Sequence, residues 1–438
     1  MRRPARPGAA PALALTAVAG CLLALLAGCP VTGDRTAPEH TTGAPQPSTS
    51  QPTPALPTRA SVDRPAYAGP PADAPPTTGP IRTLRAAVDL SPATPGIFCI
   101  AGAAVAAPDG RVLVLLSTVG HHPSWIATVG PVPGGWGVTA SVGLPQFTEV
   151  AGLHLLPDGS VVVVGQLRGP DGGGRDVGFA VVEPATGAAR TQVAVPLDDG
   201  VLPVLRSALS VDGHTLDLLV TSVGAQTVPE QLVALDVGSG RITARRDLAG
   251  DVAAVSLERI SFEAVALLAR PAGGVTLVFD ASPTGRVEGI PTLLPFDANL
   301  APDGDAVRLT DLAEDAETGA VTIGADGTVF AVVAVGNESW VLAVPSGGGA
   351  GPVLAVLPDP AHDFALVVEP AQVWALLPSP VGARAVDLRT GEVQPSLDLG
   401  CRDSLHVRGV VAGGPGAVLF GECDLPSVRT AMLWLAGA

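Results

Sequence analysis

A short turn, Asp-Gly in its clearest copies, recurs between apolar runs throughout residues 81–438. Asp-Gly is a strong hairpin signal because glycine accepts a positive φ without a Cβ clash. Clear copies are Pro108–Gly110, Pro157–Gly159, Val211–Gly213 and Ala325–Gly327, and weaker ones are Ala272–Gly274, Pro370–Gln372 and Gly414–Gly416. These turns stand 44 to 61 residues apart. The spacing predicts seven copies of one four-stranded unit.

A second turn type supports this repeat. It reads apolar residue, acid, two variable residues, Thr or Ser, and Gly, as in Val182–Gly187, Leu235–Gly240 and Val386–Gly391, with small departures. The acid can accept hydrogen bonds from turn N–H groups, and the glycine can close a bulged hairpin. Each copy follows an Asp-Gly-type turn along the chain. The predicted order is strand, Asp-Gly turn, strand, loop, strand, Thr-Gly turn, strand.

One copy of the second turn carries a family resemblance. Ala234, Asp236 and Ser239–Arg241 match the Ala-x-Asp-x-x-Thr/Ser-Gly-Lys/Arg pattern, and the chain resembles the quinoprotein-like β-propellers. In that pattern a docking Trp follows, but Ala244 and, in the copy at Asp387, Pro395 take its place. The chain is therefore more similar to the YVTN-type propellers than to the cofactor-bearing members. The resemblance implies an all-β fold, a seven-bladed β-propeller of four-stranded antiparallel blades.

The last copy of the repeat contains only three predicted strands. The segment 83–90 alternates apolar and polar residues and resembles the fourth strand of other copies. We predict that it closes the ring by joining the last blade, which removes an open sheet edge. The propeller domain is then 81–438. Two β-sandwich domains are the alternative, but the regular period favours a propeller.

The N-terminal region has the order of a secretory signal. Three arginines within the first six residues precede an uncharged run over 9–27. Leu26–Cys29 then resembles a bacterial lipobox, and this resemblance implies a signal peptide over 1–28 and a diacylglycerol on Cys29. Cys21 fits the pattern more loosely. An uncleaved membrane anchor is the alternative, because the run nearly reaches the length of a membrane span.

Residues 29–80 are expected to be a disordered Pro/Thr-rich tether. The segment 30–80 contains thirteen Pro and nine Thr and almost no large apolar side chains. Such a composition cannot bury enough surface to offset the entropy of ordering. With the lipid anchor, it predicts a protein held at the extracytoplasmic face of the cell membrane.

Three cysteines remain for the exported domain, where disulfides can form. Cys401 precedes the first strand of the last blade and Cys423 ends its second strand, so their ends meet at one face. We predict a Cys401–Cys423 disulfide, with Cys99–Cys423 as the rival pairing. No Cys/His spacing typical of zinc sites is present.

Several polar residues are candidates for a site, each with a simpler structural role. His154 and His406 fall on innermost strands and could line the channel, whereas His121-His122 falls in a polar loop beside Trp125. The acidic segment Asp297–Glu317 departs from the EF-hand order and is interpreted as a solvated connection.

The net charge of −16 argues against nucleic acid as a partner, because binding phosphates needs a basic surface. No G-x-S-x-G elbow, P-loop or HExxH motif occurs, and no catalytic, cofactor-binding or metal-binding residue is predicted. We predict a monomeric, non-catalytic binding or scaffold protein that contacts the membrane through its lipid and binds an envelope protein or extracellular ligand. The alternatives are a propeller-type hydrolase or lactonase and a quinoprotein-like redox protein.

Overall fold

In the computed structural model of the protein, the described residues lie almost entirely in strands and tight turns. The structure describes residues 83–94, 99–118, 123–169, 174–195, 203–222, 231–251, 260–283, 290–309, 316–346, 348, 351, 353–357, 365–369, 372–379, 382–387, 392–393, 397–401, 405–413, 416–425 and 428–437. The predicted signal peptide, the lipidation site Cys29, the tether and His121-His122 lie outside these ranges. Within them, no helix has the length and apolarity needed to cross a bilayer.

The described strands form seven antiparallel sheets. The first strand, β1 (Thr83–Asp89), belongs to the last of these sheets. The first four sheets in chain order are β2 (Cys99–Ala106), β3 (Val112–Thr118), β4 (Ser124–Val132) and β5 (Gly135–Leu144); β6 (Phe147–Leu155), β7 (Val161–Arg168), β8 (Gly174–Val182) and β9 (Ala189–Val195); β10 (Pro203–Leu209), β11 (Thr215–Ser222), β12 (Gln231–Asp236) and β13 (Ile242–Asp247); and β14 (Ile260–Ala269), β15 (Val275–Pro283), β16 (Ile290–Phe296) and β17 (Val307–Arg308).

The remaining three sheets complete the set. They are β18 (Ala316–Ile323), β19 (Val329–Val335), β20 (Glu338–Val344) and β21 (Val353–Leu357); β22 (Ala365–Glu369), β23 (Gln372–Ser379), β24 (Gly382–Asp387), β25 (Glu392–Val393) and β26 (Leu397–Asp398); and β27 (Leu405–Gly413), β28 (Gly416–Leu425) and β29 (Val428–Gly437) with β1. The short strands β25 and β26 both pair with β24, so together they form the outer edge of their sheet. The predicted four-stranded antiparallel blades are confirmed.

The first strand of each sheet packs against the first strand of the next. Contacts run from β2 through β6, β10, β14, β18 and β22 to β27, and β27 in turn contacts β2. These strands therefore form a closed inner ring, with the later strands of each sheet further out. This arrangement is a β-propeller.

The last sheet is closed by a strand from the other end of the domain, as predicted. β1 pairs antiparallel with β29, with Thr83 opposite Gly437 and Val88 opposite Leu433. Val88 is 4% exposed and packs in a core cluster with Leu433 and with residues of β3. The N-terminal strand thus covers the edge of β29 and also fills the interface with the first sheet.

The tight turns have the backbone that their sequences predict. Gly110, Gly159, Gly213 and Gly327 adopt φ values of 76° to 84°. The preceding aspartate of each turn accepts a hydrogen bond from the N–H two residues further on, as Asp158 does from Ser160 at 2.9 Å. A side chain at these glycines would be strained, so the turns fix the register of the two strands that they join.

Strand position in the sheet decides the hydrophobic pattern. The second strands lie between two neighbouring sheets and are buried on both faces, so they read as continuous apolar runs such as VVVV in β7. The outer strand β13 instead alternates half-buried and exposed residues. The core therefore consists of clusters between adjacent sheets, for example Phe279 and Phe296 with Leu219 and Leu232.

Candidate functional site

The inner wall, formed by β2, β6, β10, β14, β18, β22 and β27, has two ends. We call the end that bears the Asp-Gly turns the turn face, and the end where the innermost strands begin the start face. Neighbouring turns lie together at the turn face, because a methyl group added at Gly213 would lie 3.0 Å from the ring of Pro157. Ligand sites are concave, so the wall that faces the centre of the ring is the first candidate for a site.

His154 lies on β6 near the turn face, and its Nε2 is 2.9 Å from Oγ of Ser207 on β10. This hydrogen bond joins two neighbouring sheets. Gly152 makes room for it, since a Cβ at that position would collide with Ser207. Burial lowers the pKa of His154 to about 4, so the imidazole is neutral at neutral pH. A neutral, hydrogen-bonded imidazole of such low basicity suits a positioning role.

Two further residues, Arg206 and Asp280, also form hydrogen bonds between neighbouring sheets. Arg206 on β10 donates from Nε to the carbonyl oxygen of Val265 on β14 at 2.9 Å. Asp280 on β15 accepts from the Thr318 N–H at 3.0 Å and from its hydroxyl at 2.5 Å, and Thr318 lies on β18. Each bond crosses from one sheet to the next. These polar groups link neighbouring sheets by hydrogen bonds. None of the sequence motifs indicated this role.

A buried carboxylate lies in the closing sheet. Glu422 on β28 is 0% exposed, and Arg408 on β27 donates to it at 3.1 Å and 3.4 Å. His406 is the direct cross-strand partner of Glu422. His406 therefore lies on an innermost strand, as predicted, and Arg408 and Glu422 are its charged neighbours.

The exposed acids Glu149 on β6 and Glu317 on β18 lie near the start of their strands. Arg408, whose side chain is 49% exposed, lies near the start of β27. These side chains give the start face of the described wall both signs of charge. The arrangement can bind a charged partner without any covalent step.

Cys401 and Cys423 form the predicted disulfide, with their Cα atoms 5.5 Å apart. Cys99 is a buried free thiol whose pKa is raised by burial, partly offset by a hydrogen bond from Thr94. Cys99 packs in the same core cluster as Val418, Phe420 and Leu433, which places it beside the closing sheet. The rival pairing of Cys99 with Cys423 is wrong because Cys423 is already bonded.

Other sequence candidates are placed as follows. Trp125 lies on β4 against Gly143, and its buried indole N–H has no hydrogen-bond partner among the residues that the structure describes. In the acidic segment, Asp297 accepts N–H bonds from Asn299 and Ala301 and so closes a turn. Among the described residues, no three His, Cys, Asp or Glu side chains come together as a metal site would require.

Sequence reasoning missed Asp217, a buried carboxyl on β11 that is 4% exposed. Burial raises its pKa to about 7. No hydrogen-bond or ion-pair partner for it occurs among the described residues. Its signal in the sequence was one acid inside the apolar run Leu216–Val220, at a position where a buried strand normally carries Val or Leu.

Comparison with known proteins identifies the fold. No protein-family profile and no curated protein matches the chain. Among solved structures, an oligogalacturonate lyase in complex with manganese is 10% identical, with 75% of this chain and 86% of that chain covered and a TM-score of 0.52. The polysaccharide lyase Uly1 is 12% identical, with 77% and 90% covered and a TM-score of 0.52. At these identities the likeness shows the fold alone.

A third solved structure is also similar to this chain. It is the β-propeller domain of Cps50 (Swd1) from Myceliophteria thermophila, which is 10% identical over 76% of this chain and 95% of that chain, with a TM-score of 0.49.

Proposed function

We propose that this chain is a lipid-anchored, extracytoplasmic, seven-bladed β-propeller of the YVTN type that binds an envelope protein or extracellular ligand and catalyses no reaction. The observation that carries the proposal is the use of the inner-wall polar groups. His154, Arg206 and Thr318 each bond to the neighbouring sheet. Groups engaged in this way hold a rigid frame, and rigid frames suit recognition.

The extracytoplasmic location has support from the covalent structure. A buried disulfide between Cys401 and Cys423 is typical of an oxidising compartment. The lipobox-like Leu26–Cys29 and the tether that follows it would hold the propeller away from the bilayer. The chain is therefore proposed to contact the membrane through a lipid on Cys29 only.

The start face is the proposed binding surface. Glu149 and Glu317 are exposed there, and the whole chain carries a net charge of −16. Acids at the rim of an interface speed association with a basic partner and give it a salt dependence. The expected partner brings basic groups to these two carboxylates.

Site-specific photocrosslinking in the producing cell tests this surface. A photoreactive residue at Glu149 samples the start face, and one at Val211, which is 74% exposed in a turn, samples the turn face. We expect a single adduct from position 149 that disappears when Glu317→Arg is added. Adducts only from position 211, or none from either position, would contradict a start-face partner.

The anchor is tested separately by Cys29→Ser. We expect the variant to be released into the medium or to keep its signal peptide, since no thiol remains to be lipidated. Full processing with retention in the membrane would overturn the lipoprotein proposal while leaving the binding proposal intact.

The enzymatic alternatives need their own assay. The purified protein is offered lactones, carboxylic esters and a quinone-linked dye-reduction assay, next to His154→Gln and Glu422→Gln variants with wild-type circular dichroism. A turnover that either variant abolishes would replace the binding proposal with catalysis at the inner wall.

A further inference from the structure

A cavity of about 210 Å³ lies between the β14–β17 sheet and the β18–β21 sheet, at the turn face. Its apolar wall includes Leu293 on β16, Val329 on β19 and Val344 on β20, which are 3%, 5% and 3% exposed. This wall is the outer limit of the hydrophobic cluster between the two sheets. The cavity is separate from the inner wall, and the proposed binding surface does not include it.

Thr276 on β15 brings a polar group to this apolar wall. It lines the cavity and is only 5% exposed. Along β15, Thr276 and Val278 share the face that packs toward the β18–β21 sheet, whereas Leu277 faces the other neighbour. The hydroxyl of Thr276 has no hydrogen-bond partner within the described ranges. A buried hydroxyl is normally bonded, so this group is available to a ligand.

The rim of the cavity is negatively charged. Asp303, Asp305 and Asp326 line it together with Arg270. Arg270 is occupied by Asp303, at 2.5 Å, and by the carbonyl oxygen of Phe296, at 3.1 Å. The carboxylate of Asp305 has no such partner in the described part of the chain. The rim therefore presents an excess of negative charge to a ligand.

The size of the cavity limits what fits. An apolar cavity of about 150 Å³ holds benzene, and sites for drug-sized ligands start at about 300 Å³. The volume here accommodates one six-membered ring or a short aliphatic body with one polar arm. An arm with several N–H donors could bond to the Thr276 hydroxyl and to a rim carboxylate.

We propose that this cavity binds a small primary amine with a compact apolar body. The body would lie against Leu293, Val329 and Val344. The ammonium group would donate to the hydroxyl of Thr276 and face Asp305. Nothing in the proposed binding at the start face depends on this site.

Benzylamine is the probe, and benzyl alcohol is its neutral counterpart of nearly equal shape. Titration of the full-length protein by ligand-observed NMR and calorimetry should give saturable benzylamine binding, with a Kd on the order of 1 mM. We expect benzyl alcohol to bind at least about fivefold more weakly, since it places no charge beside Asp305.

Variants assign the binding to the cavity. Thr276→Val keeps the side-chain volume and removes the hydroxyl, and Asp305→Asn removes the charge. Each should weaken benzylamine binding about three- to tenfold, as the loss of one ordinary hydrogen bond or one solvent-exposed charge pair does. Asp212→Asn, which removes an exposed aspartate from a turn of the β10–β13 sheet, is the control and should leave the Kd unchanged.

If Thr276→Val does not fold, methyl NMR of the wild-type protein decides, because bound benzylamine must shift the methyl signals of Val329 and Val344. Absence of saturable binding up to 20-fold above the expected Kd of about 1 mM would overturn the proposal. Equal affinity for the two probes, or methyl shifts confined to other residues, would overturn it as well.

Discussion

Asp217 and Asp280 lie on corresponding strands and corresponding faces of neighbouring sheets but have opposite surroundings. Each lies on the second strand of its sheet and faces the sheet that follows, and each is less than 9% exposed. Asp280 receives two hydrogen bonds from Thr318 across the interface. Asp217 has no partner among the described residues, and burial raises its pKa to about 7. A buried aspartate therefore stabilises the interface beyond Asp280 and destabilises the interface beyond Asp217.

This difference shows what a buried acid needs. The free energy of removing a carboxylate from water is offset only when donors in the fold replace the lost hydration. Thr318 provides both an N–H and an O–H to Asp280 from a strand that begins at Ala316. At the interface beyond Asp217, apolar side chains such as Leu267 and Leu277 line the core instead.

The largest expected effect comes from Asp217→Asn. Its pKa near 7 in the folded state, against 3.8 when unfolded, means that the folded protein binds more protons between these pH values. Wild-type stability therefore falls as the pH rises from 4 to 7. The variant should be more stable by roughly 4 kcal/mol at pH 8 and by almost nothing at pH 4.

Urea unfolding at pH 4, 6 and 8 measures the Asp217 effect. The control is Asp212→Asn in the same hairpin, where the hydrogen bond from Ser210 lowers the pKa. Asp212→Asn should have the opposite effect: the variant should be less stable than the wild type above pH 4. A pH-independent effect of Asp217→Asn would show that the carboxyl is solvated.

Arg408→Met is expected to have the next largest effect. It removes the guanidinium from Glu422, which is fully buried, and should destabilise the protein by about 3 kcal/mol. The double variant Arg408→Met/Glu422→Leu should recover at least half of this loss. Exposed Arg245→Met is the control, and urea midpoints measure all three. A double variant as unstable as the single one would mean that the pair contributes through packing only.

Thr318→Val removes one of the two hydrogen bonds that Thr318 donates to Asp280, so the surroundings of Asp280 become more similar to those of Asp217. The Thr318 N–H remains, but the hydroxyl donor at 2.5 Å is lost. We expect a loss of about 2 kcal/mol at pH 7, within the range for hydrogen bonds to charged groups. Thr322→Val on the same strand should cost much less. The idea fails if the two thermal melts shift equally.

His154→Gln has the smallest effect and acts on the acid side. The folded-state pKa of about 4 lies below the ordinary 6.5, so the unfolded chain binds more protons between these values and stability falls as the pH drops from 6.5 to 4. Glutamine can still bond to Ser207 but does not titrate. The variant should gain about 1.4 kcal/mol over wild type at pH 5.5 and nothing at pH 8. Parallel melting curves at both pH values would contradict a buried, neutral His154.

The local elements could be predicted from the sequence because their signals are local. The Asp-Gly turns, the strand Thr83–Asp89 and the apolar second strands each follow from a few adjacent residues. The Cys401–Cys423 disulfide also followed, since its two ends were placed by the strand order. Each of these features depends on position within one repeat.

The hydrogen bonds between sheets could not be predicted in this way. The hydrogen bonds between His154 and Ser207 and between Thr318 and Asp280 span 53 and 38 residues and depend on the register between separate sheets. The cavity beside Thr276 depends on how two sheets splay at their turn face. The sequence of a single strand determines neither the register between two sheets nor their separation at the turn face. A lone acid in an apolar run, as at Asp217, was the available signal.

The pairing of Thr83 with Gly437 has a mechanical consequence. Whatever precedes residue 83 and whatever follows residue 437 leave the domain side by side, at one end of the same two strands. A load between these two attachments would open the β1–β29 pair like a zip, breaking its hydrogen bonds one after another instead of all together. The last sheet would then lose the edge strand that comes from the other end of the domain.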